Sequence, residues 1–239
     1  MPGIFAVLAV GFVGWRLIRR VPRKRTPRFS DRSPATRAHA RGEAGEATVR
    51  AELCRVLTTL CGDDYYLHDG AVLLRHAPGT AFPTAEIDHL AVTPFGLFVI
   101  ETKNWSGLIE PGTTCDELVR VAINGERETR RSPLAQNRTK VAFLCAKLPK
   151  VWTIEGLGVF AAPDCTLHPD LPPTLIQSNE LSHCLRLKRH KFRLSGQTPV
   201  NVSTAWKAIM LNASIDAKDL EEHYERVRVN PKVVFENAV

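Results

Sequence analysis

Glu86, Asp88, His89, Glu101 and Lys103 stand in the stretch AEIDHLAVTPFGLFVIETKNWSG, residues 85–107, which otherwise has the apolar pattern of two strands joined by a tight turn at TPFG. In the second strand Glu101 and Lys103 share a face with Leu97, because successive strand side chains point to opposite sides. Apolar residues on both faces predict a central strand that is covered on both sides. Pairing across the turn brings Asp88 near Glu101. We therefore expect charged groups to meet inside an apolar sheet.

A third carboxylate comes from the segment GEAGEATVRAELCRVLTTL, residues 42–60, whose apolar residues recur at helical spacing. Glu46 falls inside the apolar stripe, so the pattern predicts that it points toward the core. Gly42 and Gly45 each weaken a helix by about 1 kcal/mol relative to Ala. Their presence indicates that another part of the chain approaches the helix backbone closely.

Three carboxylates around one point, with a lysine beside them, have a recognisable chemistry. Carboxylate oxygens suit a hard divalent cation such as Mg²⁺ or Mn²⁺. A lysine next to that cation can position or deprotonate a water and stabilise developing charge, which is the equipment for metal-assisted hydrolysis of a phosphodiester. The alternative is a buried ion pair of Glu101 with Lys103 and a surface Asp88, but that alternative leaves Glu46 unexplained.

The surrounding elements alternate between the two periods of secondary structure. After the first helix come a bent strand pair at 65–74, the two strands of the opening stretch, and strands at 106–110 and 117–124. A helix over 132–148 begins with Ser132 as N-cap and Pro133 at its first position. Two strands and a short helix follow at 157–162, 173–177 and 179–187, and two further helices are expected at 201–212 and 216–227. This order predicts an α/β domain with a mixed central β-sheet flanked by helices.

Four sequence blocks carry a resemblance to a known family. In order along the chain they are GEAGE (42–46), EIDHLAV (86–92), GLFVIETKNWSG (96–107) and SPLAQN (132–137). They resemble the nuclease-related domain (NERD) family, which is similar to the PD-(D/E)xK nuclease superfamily, over roughly residues 40–160 and at most to residue 187. Asp88 takes the D position and ETK supplies E-x-K. Ile87 precedes Asp88 where the strict motif has Pro, a departure that is normal for this family.

The resemblance implies a restriction-endonuclease-like core and assigns roles to five residues. Asp88 and Glu101 would be the principal ligands of Mg²⁺ (or Mn²⁺), and Glu46 would complete the metal site. Lys103 would be the catalytic lysine, and Gln136 would contact the substrate or the water at the metal. The helical periodicity of residues 132–148 does not support this role for Gln136, because it places Gln136 opposite the apolar stripe of the helix.

Charge is concentrated at the N-terminus. Although the net charge is +7, residues 1–41 hold ten Arg and Lys against Asp31, which gives this segment +9 and leaves −2 for the remainder. Residues 4–15 are apolar or Gly, Arg16 interrupts this run, and Leu17 and Ile18 extend it. The dense basic cluster that follows fits an N-out, C-in anchor with the domain in the cytoplasm. The run is short for a span of about 20 residues, so an interfacial helix and a plain leader are the alternatives.

The expected organisation is therefore a membrane anchor helix at 1–18, a basic linker at 19–41, a nuclease domain at 42–190 and a C-terminal helical extension at 191–239. The linker favours a tether near anionic headgroups over a DNA-binding arm. The basic segments 120–150 and 186–193 either grip phosphates or form solvated faces. Six cysteines without a C-x-x-C pair argue against a zinc ribbon.

The predicted function is a metal-dependent nuclease that hydrolyses DNA, anchored to the inner face of the membrane or otherwise cytoplasmic. It needs no small-molecule cofactor, and no protein partner is identified. One alternative is a module of the same fold that binds nucleic acid without cutting it. Another is a membrane-associated scaffold, which would leave the acidic cluster unexplained.

Overall fold

The computed structural model describes residues 37–229. The predicted anchor helix at 1–18, most of the basic linker at 19–41 and the last ten residues lie outside this range. All described residues belong to one compact unit. Between residues 37 and 229, no helix is both long and apolar enough to cross a bilayer.

The described residues form five α-helices and twelve short strands. The helices are α1 (Arg37–Cys61), α2 (Pro133–Lys147), α3 (Leu181–Ser195), α4 (Val202–Met210) and α5 (Ala217–Val229). The strands are β1 (Tyr66–Leu67), β2 (Val72–Leu74), β3 (Ala85–Ile87), β4 (His89–Thr93), β5 (Gly96–Lys103), β6 (Gly107–Pro111), β7 (Glu117–Val121), β8 (Arg127–Arg131), β9 (Ile154–Phe160), β10 (Cys165–Leu167), β11 (Leu175–Gln177) and β12 (Ala213–Ser214).

A five-stranded mixed sheet forms the centre, in the order β1-β4-β5-β9-β11. The pairs β1 with β4 and β4 with β5 are antiparallel, whereas β5 with β9 and β9 with β11 are parallel. A second sheet has the order β10-β6-β7-β8, and a third has the order β12-β2-β3. The predicted mixed α/β architecture is thus confirmed.

Strand β5 is the middle of the central sheet and is buried from Gly96 to Thr102. On one face, Phe98 and Ile100 pack in a cluster with apolar residues of α1 and α3. On the other face, Leu97 and Val99 pack with residues of α2 and α4. Coverage on both faces explains why β5 reads as a nearly continuous apolar run.

Helix α2 begins as the sequence predicts. The Ser132 hydroxyl accepts a hydrogen bond from the Leu134 N–H, and Pro133 is the first helical residue. The buried Asn137 then donates through Nδ2 to the carbonyls of Val99 (3.0 Å) and Leu157 (3.2 Å). These two bonds tie α2 to β5 and β9, because each satisfies a backbone acceptor in the middle of the sheet.

Several elements differ from the sequence-based expectations. The stretch 85–92 is two strands rather than one, since β3 pairs with β2 while β4 pairs with β5. Strands β8, β10 and β12 were not predicted, because they are short or consist largely of charged residues. The predicted boundary after residue 190 lies inside α3. Beyond it, α4 packs in the same cluster as Val99, and β12 pairs with β2.

Candidate active site

Asp88 lies at the break between β3 and β4, beside the middle of β5. The antiparallel register pairs His89 with Ile100, so Asp88 comes opposite the part of β5 that holds Glu101. At the break, Asp88 Oδ2 accepts a hydrogen bond of 2.8 Å from the Thr102 N–H. In an unbroken strand, a backbone carbonyl would accept the hydrogen bond from the Thr102 N–H. At this break, the Asp88 carboxylate accepts it instead.

Two lysines hold Glu101. Lys103 Nζ donates to Oε1 at 2.9 Å, and Lys140 Nζ donates to Oε2 at 2.7 Å. All three side chains are largely buried, with 8% exposure for Glu101, 18% for Lys103 and 10% for Lys140. Burial alone would raise the pKa of Glu101, but the two ammonium groups outweigh it and lower that pKa, so Glu101 is ionised.

Lys103 is held from two sides. Besides its bond to Glu101, Lys103 Nζ donates to Gln136 Oε1 at 2.9 Å. Burial alone would lower the pKa of Lys103, but the carboxylates of Glu101 and Asp88 outweigh it and raise that pKa. Lys103 is therefore cationic at neutral pH and suited to stabilise negative charge rather than to remove a proton.

The structure places Gln136 beside Lys103, although helical phase had placed it away from the core. The reason is that α2 lies across β5 with two kinds of contact on its inner side. Leu144 packs with the apolar half of β5, whereas Gln136 and Lys140, one turn apart, meet the charged end of the strand. The inner face of α2 changes from polar near Gln136 to apolar near Leu144, so a prediction based on one apolar stripe misplaced Gln136.

Glu46 approaches the carboxylates of Asp88 and Glu101 from the opposite side of the sheet. Helix α1 packs on the Phe98 face of β5, whereas Lys140 lies on the α2 side. The prediction that Glu46 points into the core was wrong in part, because Glu46 lies beside the carboxylates of the site but remains open to solvent. The first turns of α1 run beside Asn104, just past the end of β5, and a Cβ on Gly45 would lie only 2.8 Å from Asn104 Cβ. Partial burial and the charges of Asp88, Glu86 and Glu101 raise the pKa of Glu46 to about 8.

A fourth carboxylate, Glu86, was not among the predicted site residues. Its Oε1 accepts a hydrogen bond from the Tyr224 hydroxyl at 2.9 Å, and its Oε2 lies 3.8 Å from His223 Nε2. Burial and the neighbouring Asp88 raise the pKa of Glu86 to about 7. The one available signal was that Glu86 and Asp88 are two residues apart. No local pattern links Glu86 to Tyr224, which lies 138 residues away.

Mutual repulsion characterises the carboxylates of the site. Burial and the charge of Glu101 raise the pKa of Asp88 to about 6, and the pKa values of Glu46 and Glu86 are also raised. A divalent cation would relieve this repulsion, so the oxygen donor set fits a hard metal ion by its chemistry. Within residues 37–229, however, no three Asp, Glu, His or Cys side chains form a ready-made metal site.

The chain around the site is fixed by its own contacts. After Lys103, Asn104 Nδ2 donates to the Arg41 carbonyl at 2.7 Å, and Trp105 packs edge-on against Phe160 with ring centroids 5.8 Å apart. Two of the basic side chains in the segments expected to bind phosphates form ion pairs with carboxylates of the protein itself. Lys140 is buried on Glu101, and Lys188 pairs with Glu155.

The described residues thus form a mixed α/β domain in which Asp88, Glu101 and Lys103 lie close together. The family described as "Nuclease-related domain" matches residues 41–161, just over half of the chain, and the chain belongs to this family. An uncharacterized protein of Bacillus anthracis is 37% identical over 70 residues, which are 29% of this chain and 29% of that relative. The chain thus matches less than a third of the relative's length. No solved structure matches the chain.

Proposed function

We propose that this protein is a metal-dependent nuclease that hydrolyses phosphodiester bonds of DNA. The observation that carries the proposal is the placement of Lys103 Nζ, which lies 2.9 Å from both Glu101 Oε1 and Gln136 Oε1. A lysine fixed in this way, next to Glu101 on the central strand and with Asp88 beside that strand, is suited to act on a polyanionic substrate. Membership of the nuclease-related domain family supports the same reaction class.

Asp88 and Glu101 would hold Mg²⁺ or Mn²⁺, with Glu46 as a further donor from α1. The cation would supply Lewis-acid stabilisation of charge on the scissile phosphate. Lys103, which is cationic because Glu101 and Asp88 raise its pKa, donates hydrogen bonds to the phosphate oxygens as negative charge develops on them. Gln136 keeps the Lys103 ammonium in place and has an amide nitrogen with which to donate to substrate or water.

One observation favours a second candidate, a module of the same fold that binds nucleic acid without cutting it. Both oxygens of Glu101 already accept hydrogen bonds from lysines, and the described carboxylates do not converge as a ready-made metal site. A site locked in this way would bind a phosphate backbone through its cations without catalysing hydrolysis.

Cleavage assays with the full chain separate the two candidates. Linear, supercoiled and single-stranded DNA, with RNA as comparison, are incubated in Mg²⁺, Mn²⁺ or EDTA. We expect cleavage of DNA with metal and none in EDTA, and a loss of at least about 100-fold in Lys103→Ala and Asp88→Ala. Lys147→Ala is the matched control, because Lys147 is exposed on the same helix as Gln136. Cleavage that survives both site substitutions contradicts the nuclease proposal, and binding without cleavage supports the second candidate.

The N-terminal sequence supports a membrane location as part of the proposal. The apolar run of residues 4–18, which Arg16 interrupts, is followed by the basic linker and would tether the domain to the cytoplasmic face of a membrane. Fractionation of cells that express the full chain, or the chain without residues 1–18, tests this tether. We expect the full chain with the membranes and the shortened chain in the soluble fraction.

A further inference from the structure

The second lysine on Glu101 has no role in the catalytic scheme proposed above. Lys140 Nζ lies 2.7 Å from Glu101 Oε2, on the oxygen that Lys103 does not use. Its side chain is only 10% exposed, so the ammonium group has been withdrawn from water. Burial of a charge is unfavourable unless the group is paired and hydrogen-bonded. Lys103 alone already gives Glu101 an ion pair, so Lys140 requires its own explanation.

The surroundings of Lys140 indicate what that explanation is. Besides its contact with Glu101, its charge acts on Asp88 and Glu86, so it lies among three of the four carboxylates of the site. A cation in the midst of several carboxylates is what a second metal ion provides in two-metal sites. Lys140 supplies that charge as a fixed side chain carried by α2.

The charges of the site point to the same conclusion. Glu46, Glu86, Asp88 and Glu101 supply four negative charges when ionised, and the two lysines supply two positive charges. One divalent cation would complete the neutralisation. A second would bring two further positive charges close to the Lys140 ammonium, and like charges at such a distance repel strongly in a partly buried site.

We propose that Lys140 is a positioning residue that replaces a second divalent cation: it fixes Glu101 and limits the site to one bound ion. This inference rests on the proposed metal-dependent function. Lys140 acts through Glu101, since its ammonium is engaged by that carboxylate and does not need to touch the substrate.

Mn²⁺ binding to the full chain tests the proposal without any cleavage assay. Isothermal titration calorimetry gives the number of Mn²⁺ ions bound per chain, and thermal unfolding gives the rise in Tm at saturating Mn²⁺. The variants are Lys140→Met, which keeps the length of the side chain without its charge, and Lys140→Arg, which keeps the charge. Lys147→Met is the matched control, because Lys147 is exposed on the same helix.

We expect one Mn²⁺ per wild-type chain and per Lys147→Met and Lys140→Arg chain. Lys140→Met should bind two, and its Tm should rise with Mn²⁺ at least twice as much as the wild-type Tm. A role that is only structural would lower the Tm of Lys140→Met without changing the number of ions, and that result would overturn the inference.

The wild-type protein provides a test even if Lys140→Met fails to fold. Two Mn²⁺ per wild-type chain would overturn the inference and leave the proposed metal-dependent function standing. Wild-type protein that binds no Mn²⁺ would overturn both. One Mn²⁺ per wild-type chain, kept in Lys140→Arg, supports the inference.

Discussion

Asp88 Oδ2 accepts a hydrogen bond of 2.8 Å from the main-chain N–H of Thr102, at the point where the first strand of the pair breaks. The bond fixes the carboxylate beside Glu101, whose negative charge repels it. Burial is the largest cause that raises the pKa of Asp88 to about 6, and Glu101 is the next. Ionised Asp88 is therefore held in place against an unfavourable electrostatic environment, as is typical of functional residues.

Replacement of Asp88 by asparagine should stabilise the metal-free protein. The amide oxygen of the new side chain still accepts the hydrogen bond from Thr102, while the repelled charge is gone. A pKa that rises from 3.8 to about 6 corresponds to a gain on the order of 3 kcal/mol at neutral pH. Thermal unfolding in EDTA should show a Tm higher by several degrees, and the rise in Tm with Mn²⁺ should disappear. A lower Tm in EDTA would contradict the repulsion argument.

Stability of the metal-free protein should fall as the pH rises from 6.5 to 8.5. Glu86 and Glu46 have pKa values raised to about 7 and about 8, so in this window the folded state binds more protons than the unfolded state. Stability then decreases with pH, by about 1.4 kcal/mol per pH unit for each proton of difference.

The histidines with lowered pKa values, among them His89 at about 4, act in the opposite sense but mainly below pH 6.5, where the unfolded state becomes protonated. Urea unfolding in EDTA across this pH range measures the slope. Glu46→Gln should reduce the slope, and an unchanged slope in this variant would show that Glu46 does not titrate in the window.

Gln136 should matter for catalysis through its contact with Lys103. Gln136→Ala leaves the Lys103 ammonium with Glu101 as its remaining hydrogen-bond partner in the described contacts, so the lysine is less well placed for the phosphate. We expect a cleavage rate about 10- to 100-fold lower, a smaller loss than in Lys103→Ala. Single-turnover cleavage measures it, and Thr139→Ala, an exposed position three residues further along α2, is the control. Equal rates in both variants would exclude a role for Gln136.

Two glycines of α1 should respond differently to the same substitution. No atom lies within 4 Å of a Cβ added to Gly42, so Gly42→Ala should stabilise the protein by roughly 0.5–1 kcal/mol through helix propensity. A Cβ on Gly45 would lie 2.8 Å from Asn104 Cβ, so Gly45→Ala should cancel that gain and displace the residue after Lys103. Urea unfolding and cleavage assays measure both effects. A Gly45→Ala variant as stable and active as Gly42→Ala would contradict the close approach.

Much of the architecture follows from local patterns. Strand alternation predicted the charged face of β5, and the two-residue turn at TPFG predicted its pairing with β4, because both depend on neighbouring residues. The start of α2 at Ser132 and Pro133 is likewise a local signal. The glycines of α1 were expected to mark a close approach, which Gly45 makes and Gly42 does not.

The remaining features depend on contacts between residues far apart in the chain. In the sequence, Lys140 is one of many cations of α2 and its surroundings, and only the fold shows that it is buried against Glu101, 39 residues away. Likewise, only the fold shows that Tyr224 of α5 donates a hydrogen bond to Glu86. The periodicity of α1 placed Glu46 on the apolar stripe, but it did not show that Glu46 would stay open to solvent where the helix passes the end of β5. The sequence by itself determined the family, and it pointed to Asp88, Glu101 and Lys103 as candidate site residues. Only the tertiary structure decided which cations neutralise the carboxylates, because burial and long-range pairing, rather than residue type, set that balance.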